Sequence, residues 1–206
     1  MELKYALIGC GRIALNHIVA AQNSKCCIVG LCDVSKQAME TLAKKANLPP
    51  SVLYFTDYKE LIDKCKPDVV SIATPSGLHA SIAIYCCENN IHTIIEKPVA
   101  LSLKDAYAIQ RSSQKGNVKV TVCHQNRYNK AVKAAYQLVL EKKLGDVYSL
   151  IANILWNRDK SYYQLSNWRG TWEMDGGVLM NQGIHNIDLL RWLSGGAINS
   201  VASFIG

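Results

Sequence analysis

The stretch from Tyr5 to Ala14, YALIGCGRIA, restricts the fold of this chain more than any other. An apolar run with strand character stops at Gly9 and Gly11, and a helical pattern begins directly behind it. A tight turn between a strand and a helix needs glycine for its backbone angles, and a second glycine leaves room for a pyrophosphate over the helix N-terminus. Ala14 takes the third small position, where such a helix packs close to its strand. The pattern predicts a dinucleotide-binding β-α unit.

A second predicted strand supports this interpretation of the turn. Residues 27–32 read CIVGLC and lead into Asp33, 24 residues after Gly9, at the distance where an acidic residue accepts hydrogen bonds from an adenosine ribose. A carboxylate there repels a 2′-phosphate, so Asp33 favours NAD over NADP, while Arg12 in the turn is placed to pair with pyrophosphate. The alternative is an ordinary turn of another α/β protein, in which Asp33 only caps the next helix.

Strand and helix patterns alternate with short connections as far as Cys123. This alternation predicts a doubly wound parallel sheet of the Rossmann type over residues 1–123. Ligands of such sheets bind beyond the carboxyl ends of the strands, where we expect the glycine turn, Asp33, residues 74–79 and residues 96–98 to meet. The predicted helices cover residues 35–46, 58–63, 80–89 and 103–115, and the later strands cover residues 52–55, 68–73, 92–95 and 118–122.

The regular alternation of strand and helix patterns ends at residue 123. We interpret residues 124–206 as part of a second, α+β domain for substrate binding and oligomerisation. A helix over residues 130–141, alternating strands over 147–155 and 197–205, and a long helix from Gly176-Gly177 through Leu193 are predicted. An aromatic and polar loop fills residues 156–172. So few elements leave the face of their sheet uncovered. We therefore expect an incomplete domain with an open sheet, in a chain truncated at its C-terminal side.

Composition narrows the class of protein. The chain has 206 residues, 49% of them hydrophobic, and a net charge of +7, which suggests an anionic partner. The basic residues are spread out and not interleaved with aromatics, so a small diphosphate is favoured over nucleic acid as the partner, and a generally basic surface explains the charge equally well.

Eight cysteines without a Cys-x-x-Cys motif are expected to be reduced in a cytoplasmic protein, and no metal site is predicted. The N-terminus lacks a signal peptide, and no apolar run approaches about 20 residues, so we expect no membrane span.

Two groups of residues are candidates for chemistry. Lys97 follows a strand at the ligand edge, where a lysine can hydrogen-bond to a substrate hydroxyl and stabilise the alkoxide as hydride leaves, although a solvated lysine beside a turn is the ordinary alternative. Asn181, His185 and Asp188 are spaced by four and three residues, so one face of a helix can present all three. The imidazole of His185 can accept a proton near neutral pH, the amide of Asn181 can hold a substrate hydroxyl, and the carboxylate of Asp188 can orient the imidazole ring. His79 begins a helix beside the cofactor edge, whereas structural roles are expected for the histidines at positions 17, 92 and 124.

The motifs together resemble the Gfo/Idh/MocA oxidoreductases over essentially the whole chain. The resemblance is carried by GCGRIA at residues 9–14, Asp33, TPSGLH at residues 74–79, EKP at residues 96–98, and Gly176-Gly177 with His185. Within the family, NRYN at residues 126–129, the tyrosine pair at 162–163, WRGTW at residues 168–172 and LMNQGIH at residues 179–185 look like the UDP-N-acetylglucosaminuronate 3-dehydrogenases of bacterial surface-polysaccharide and lipopolysaccharide synthesis.

The resemblance implies oxidation of a sugar 3-hydroxyl by NAD+, in a protein that forms a homo-oligomer when full length. It implies Lys97 and His185 as the catalytic pair. The residues implied around NAD are Gly9, Gly11, Arg12, Ile13, Asp33, Thr74, Pro75, Ser76, His79, Glu96, Lys97, Trp168 and Arg169. The residues implied around the nucleotide sugar are Lys97, Arg158, Tyr163, Asn181 and His185.

Two features depart from the family pattern. Many of its sugar dehydrogenases carry aspartate four residues before the histidine, where this chain has Asn181, and relatives continue well past Gly206. Two alternatives therefore remain beside the nucleotide-sugar dehydrogenase. One is a dehydrogenase of another sugar or cyclitol on the same scaffold, and the other is a non-catalytic NAD-binding fragment.

Overall fold

The computed structural model describes residues 2–195 and 198–204. Six parallel strands form one sheet in the order β3-β2-β1-β4-β5-β6, so the doubly wound sheet predicted from the sequence is confirmed. The strands are β1 (Lys4–Ile8), β2 (Cys27–Cys32), β3 (Leu53–Phe55), β4 (Val69–Ile72), β5 (His92–Ile95) and β6 (Val120–Val122).

The order of the strands reverses at β1, which lies between β2 and β4. Ile8 at its carboxyl end pairs with Cys32 of β2 on one side and with Ile72 of β4 on the other. The loops that leave β1 and β4 run in opposite directions from this point and leave a crevice between them, where ligands of such sheets bind. The glycine turn predicted from the sequence therefore opens at the crevice.

Five helices connect these strands: α1 (Ala14–Asn23), α2 (Lys36–Lys45), α3 (Tyr58–Cys65), α4 (His79–Glu88) and α5 (Leu103–Lys115). Side-chain oxygens of Ser35, Asp57 and Ser102 accept hydrogen bonds from the first turns of α2, α3 and α5, which fixes where these helices begin. A 3₁₀ turn, Ser76–Leu78, precedes α4.

The two faces of the sheet carry separate apolar cores. Leu7 and Leu31 pack with Ile18 of α1 and Met39 of α2 on one face. On the other face α3, α4 and α5 cover the sheet, with buried residues that include Ile8, Leu61, Ile72, Ile82, Ile95 and Ile109. Burial of apolar area on both faces contributes roughly 25 cal/mol per Å² and holds the strand ends in fixed register.

The second half is helical and irregular: α6 (Lys130–Leu140), α7 (Lys160–Gln164), a π-helical turn (Leu179–Gly183) and α8 (Ile184–Ser194). Tyr136 of α6 stacks on Trp192 of α8 with ring centroids 3.9 Å apart. The two strands expected here are not formed, since residues 147–155 and 198–204 are irregular, while residues 197 and 205 lie outside the described residues. A strand needs a hydrogen-bonded neighbour, and among the described residues these two segments do not pair, so the expected open sheet is absent from this part of the structure.

All eight cysteines are free thiols, and five of them are buried, which agrees with the interpretation of most of them as reduced core residues. Cys26 and Cys123 are partly exposed, and Cys27 is exposed. Among the described residues, no helix combines the length and the apolar character needed to cross a bilayer.

Candidate functional site

A cavity of about 430 Å³ lies at the carboxyl ends of β1, β2 and β4. Its lining includes six of the residues predicted for the cofactor: Gly9, Gly11, Asp33, Thr74, Pro75 and Trp168. Trp168 comes from the second half of the chain, so both halves contribute to the wall.

The glycine turn has the geometry that a dinucleotide requires. Gly9 has a φ of +96°, and a Cβ atom placed on it would lie 2.5 Å from the backbone of Ala73, so no larger residue fits. A Cβ on Gly11 would meet nothing within 4 Å, because this glycine faces open space. That space lies directly before α1, which begins at Ala14, and it suits a pyrophosphate at the helix N-terminus. The residues present therefore fit NAD.

Asp33 connects the turn to the end of β2. Its carboxylate accepts hydrogen bonds from the backbone N–H groups of Cys10 at 2.7 Å and Ser35 at 2.8 Å. The cap of α2 is Ser35, so Asp33 does not act as the helix cap that the alternative interpretation required. The carboxylate lies at the cavity wall with two backbone donors fixing its orientation, as a ribose acceptor needs.

Two buried residues hold the loop after β4 in place beside the cavity. His79 is buried, and its ring nitrogens lie 2.7 Å from the carbonyl oxygen of Pro98 and 2.9 Å from that of Thr74. Burial lowers the pKa of this imidazole, although the two carbonyl contacts oppose the shift. Ser76 is also buried, and neither residue belongs to the cavity lining. These two residues therefore position the loop, and a direct contact with the cofactor stays a prediction.

Gly77, in the same loop, joins it to the second half of the chain. Its backbone N–H donates to the carbonyl oxygen of Met174 at 3.1 Å. A Cβ on Gly77 would lie 2.5 Å from the carbonyl oxygen of Glu173, so this contact requires glycine.

Lys97 reaches from the end of β5 to the π-helical turn before α8. Its ammonium donates to the backbone oxygen of Asn181 at 2.7 Å and to the side-chain oxygen at 3.3 Å. The Asn181 amide nitrogen donates in turn to the carboxylate of Asp175, which also accepts from the backbone N–H of Gly170 at 2.8 Å. Asp175 is only 3% exposed. The three side chains form a continuous chain that we call the lysine–amide–carboxylate relay.

Burial lowers the pKa of Lys97, and Arg12 and Arg169 add to this effect, while Glu96 and Asp175 oppose it. Asp175 was missed by the sequence reasoning. The sequence feature that could have identified Asp175 is its position directly before the glycine pair Gly176-Gly177, which opens the helical region.

His185 lies in the first turn of α8, four residues after Asn181. Its Nε2 lies 3.4 Å from the amide nitrogen of Gln125, and its ring meets that of His124 edge-on at 6.2 Å. Burial lowers the pKa of His185, and the nearby charges of Lys97 and His124 lower it further. The ring is therefore neutral at pH 7 and able to accept a proton.

The predicted role of Asp188 in orienting this ring is wrong. Its carboxylate instead accepts from Nε of Arg127 at 2.7 Å and from a terminal guanidinium nitrogen of the same residue. The bidentate geometry of a guanidinium matches a carboxylate better than an imidazole does, and Nδ1 of His124 stands 3.6 Å from the same carboxylate. The pair fixes α8 against the turn at residues 125–128, and His124 and Gln125 are the groups that face His185.

Aromatic rings and guanidinium groups alternate beside the cavity. Arg169 lies between the rings of Tyr162 and Trp168, at 4.6 and 4.8 Å, and Arg158 lies between those of Tyr162 and Trp156, at 4.8 and 5.1 Å. The Tyr162 hydroxyl accepts from Arg169 at 2.6 Å and from the Gln182 side chain at 2.8 Å.

Tyr162 is thus the centre of this stack, while Tyr163 packs edge-on against it and is 41% exposed, and its predicted contact with the substrate stays a prediction. The stack presents two positive charges next to Trp168 at the cavity wall.

Five further residues predicted for the cofactor do not line the cavity: Arg12, Ile13, Glu96, Lys97 and Arg169. Glu96 accepts a hydrogen bond from the backbone of Lys97 at 3.3 Å and lies 3.0 Å from Nε2 of His17. Burial raises the pKa of Glu96, but the contacts with His17 and Lys97 outweigh it, so the net shift is downward.

Comparisons with solved structures give the same fold. The chain is similar to the WlbA dehydrogenase of Chromobacterium violaceum, crystallised with NADH and UDP-GlcNAcA, with 33% identity and a TM-score of 0.87 over 93% of this chain and 55% of that one. It is similar to the WlbA dehydrogenase of Bordetella pertussis, crystallised with the same ligands, with 31% identity and a TM-score of 0.86 over the same shares.

A curated relative is the glucose-6-phosphate 3-dehydrogenase of Bacillus subtilis, 27% identical over 92% of this chain and 53% of that protein. The chain thus spans about half the length of the relatives it matches. Residues 3–142 match the model of the oxidoreductase family with the NAD-binding Rossmann fold, and residues 132–206 match the model of the GFO/IDH/MocA C-terminal domain. This chain belongs to the Gfo/Idh/MocA oxidoreductase family.

Proposed function

We propose that this chain carries the cofactor site and the catalytic pair of an NAD-dependent dehydrogenase that oxidises the 3-hydroxyl of a UDP-N-acetylglucosaminuronate-type sugar. The observation that carries the proposal is the contact of Lys97 with the π-helical turn before His185, at the sheet edge that also holds the cavity. The likeness to the two WlbA dehydrogenases supports the choice of substrate.

Oxidation of a secondary alcohol removes a hydride from carbon and a proton from oxygen. Bound NAD+ supplies the hydride acceptor. The neutral imidazole of His185 accepts the hydroxyl proton, and Lys97 donates a hydrogen bond to the oxygen as negative charge develops on it. Both side chains are half-buried, which strengthens these interactions because fewer water molecules compete for them than at a fully exposed site.

The charge of the surroundings favours an anionic substrate. Arg158 and Arg169 are held in the stack beside the cavity, and a guanidinium binds carboxylate and phosphate oxygens well. We propose that Arg158 contacts the uronate or the diphosphate, with Tyr163 and Asn181 at the sugar. A dehydrogenase of another sugar or cyclitol is the second candidate, and similarity to the glucose-6-phosphate 3-dehydrogenase favours an anionic sugar there too.

The test is oxidation of a substrate panel by the full-length protein. UDP-N-acetylglucosaminuronate, UDP-N-acetylglucosamine, glucose 6-phosphate and myo-inositol are each incubated with NAD+, and reduced cofactor is followed by absorbance. We expect the uronate to react fastest. His185→Asn should lower the rate by about 10²–10⁴-fold, as loss of a general base does.

Lys97→Met should lower the rate as well, whereas the matched control Lys115→Met, at an exposed position of α5, should not. A full rate in His185→Asn would refute the base assignment. Faster oxidation of glucose 6-phosphate or myo-inositol would favour the second candidate, and NAD binding without any oxidation would favour a non-catalytic module.

We also propose a boundary between the two parts near residue 123, a cytoplasmic location and assembly into a homo-oligomer. Large apolar side chains of the second half are exposed, among them Leu144, Ile151 and Leu155, and the last two are 82% and 93% exposed. Exposed apolar side chains of this size support the proposal that another protein surface covers this segment. Light scattering of the full-length protein tests the assembly, and a monomer would refute it.

A further inference from the structure

We propose that His17, Glu96 and Cys123 form a binding site for a zinc ion, in addition to the proposed dehydrogenase site. Nε2 of His17 lies 3.0 Å from a carboxylate oxygen of Glu96. These two atoms and the sulfur of Cys123 all lie within 4.8 Å of one another. Imidazole nitrogen, carboxylate oxygen and thiolate sulfur are the donor atoms that zinc takes in proteins.

Three separate elements bring the residues together. His17 lies in α1, Glu96 directly follows β5, and Cys123 directly follows β6. The backbone N–H of Cys123 donates to the carbonyl oxygen of Ile95 at 2.9 Å, which holds the ends of the two neighbouring strands in register. The site is thus built on rigid elements, and its ligands are so far apart in sequence that spacing does not reveal them.

The distances suit a tetrahedral ion. Ligand atoms about 2.0–2.3 Å from zinc lie roughly 3.3–3.8 Å from one another in a tetrahedral site. The distance of 3.0 Å between Nε2 of His17 and the Glu96 oxygen is close to this range, and all three ligand atoms lie within 4.8 Å of one another, so small side-chain rotations would complete the site. The Glu96 oxygen that faces His17 is hydrogen-bonded to Nε2 of His17, and an ion bound between these two atoms would replace that hydrogen bond, while the other oxygen accepts from the backbone of Lys97. That second contact orients the carboxylate, as outer partners of metal ligands do.

The environment of the three side chains favours a bound ion over hydrated side chains. The side chains of His17 and Glu96 are only 9% and 15% exposed. A cavity of about 520 Å³, lined by all three residues and by Gln125, adjoins them and leaves a place for a fourth ligand such as water. Three protein ligands with one open position is a common zinc arrangement.

Binding displaces one proton. Zinc binds the thiolate form of cysteine, so on ligation the S–H proton of Cys123 passes to solvent and the sulfur bonds to the ion, with no change in oxidation state.

The experiment is titration of the purified protein with CoCl₂ and with ZnCl₂. Cobalt bound by the thiolate should give a sulfur-to-cobalt charge-transfer band, and zinc should displace it with a stoichiometry of one ion per chain. Cys123→Ser should abolish the band. His17→Gln should weaken zinc binding, measured by calorimetry, by at least the roughly 10–100-fold that follows loss of a partner of a ligand.

The matched control is Cys27→Ser, which removes an exposed thiol and should leave both titrations unchanged. Circular dichroism of each variant in the absence of metal establishes that it folds. A charge-transfer band that survives in Cys123→Ser, or zinc affinity that is unchanged in folded His17→Gln, would overturn the proposal. So would a wild-type protein that binds neither ion.

Discussion

The relay of Lys97, Asn181 and Asp175 leads to a prediction about Asp175→Asn. The substitution removes a buried negative charge and replaces one acceptor oxygen by an N–H donor, while the partners Gly170 N–H and Asn181 Nδ2 both remain donors. One donor then loses its acceptor. A hydrogen bond to a charged group contributes about 1.5–3 kcal/mol, so the variant should lose about that much stability. For a chain of this size this corresponds to a fall in Tm of about 3–12 °C.

The same substitution should change the titration of Lys97. Asp175 is one of two carboxylates that raise the pKa of this lysine against the effect of burial, so its loss should lower that pKa further. The other charged groups that act on the ammonium, Glu96, Arg12 and Arg169, are unaltered. The pKa is measured by reductive ¹³C-methylation and NMR, with the Lys97 signal assigned through Lys97→Arg.

A double variant separates this electrostatic effect from a general loss of structure. The exchange Asp175→Asn with Asn181→Asp restores one carboxylate and one amide in the relay, with the carboxylate beside the ammonium. It should bring the pKa of Lys97 to or above its original value. An unchanged pKa in Asp175→Asn, or a double variant no different from the single one, would refute the relay as the source of the effect.

Three further predictions concern the cofactor edge and the base. Asp33→Ala should weaken NAD+ binding more than NADP+ binding, because only the ribose without a 2′-phosphate gains from the carboxylate; equal losses by calorimetry would contradict this. Gly9→Ala should lower Tm and abolish NAD+ binding, because its Cβ would lie 2.5 Å from the backbone of Ala73 at a φ of +96°, whereas Gly145→Ala, with a φ of +67° and open space around it, should leave binding intact. The dehydrogenase rate should fall at low pH with a midpoint below about 6.5, the ordinary imidazole pKa, because the base must be neutral and the pKa of His185 is lowered; a midpoint above pH 6.5 would contradict the assignment.

Much of the first half could be predicted from the sequence, because its signals are local. The glycine turn and the buried strands each depend on neighbouring residues, and the structure places them as expected. Boundaries shifted by one or two residues, as for α4, which begins at His79 rather than after it.

The second half was predicted less well, because alternation of apolar residues describes a strand only when a partner strand is present. Residues 147–155 alternate in sequence but remain irregular in the structure. The relay through Asp175, the ion pair of Arg127 with Asp188 and the cluster of His17 with Glu96 and Cys123 each join residues far apart in the chain or across loops. Their formation depends on tertiary packing, which a single sequence does not display.

The hydrogen bond from Gly77 to Met174 has a mechanical consequence. Gly77 belongs to the loop whose first residues, Thr74 and Pro75, line the cofactor cavity, and Met174 directly precedes Asp175. The loop at the cavity and the segment that carries the counter-charge of Lys97 are therefore joined by one backbone hydrogen bond, so that a movement of either would be transmitted to the other.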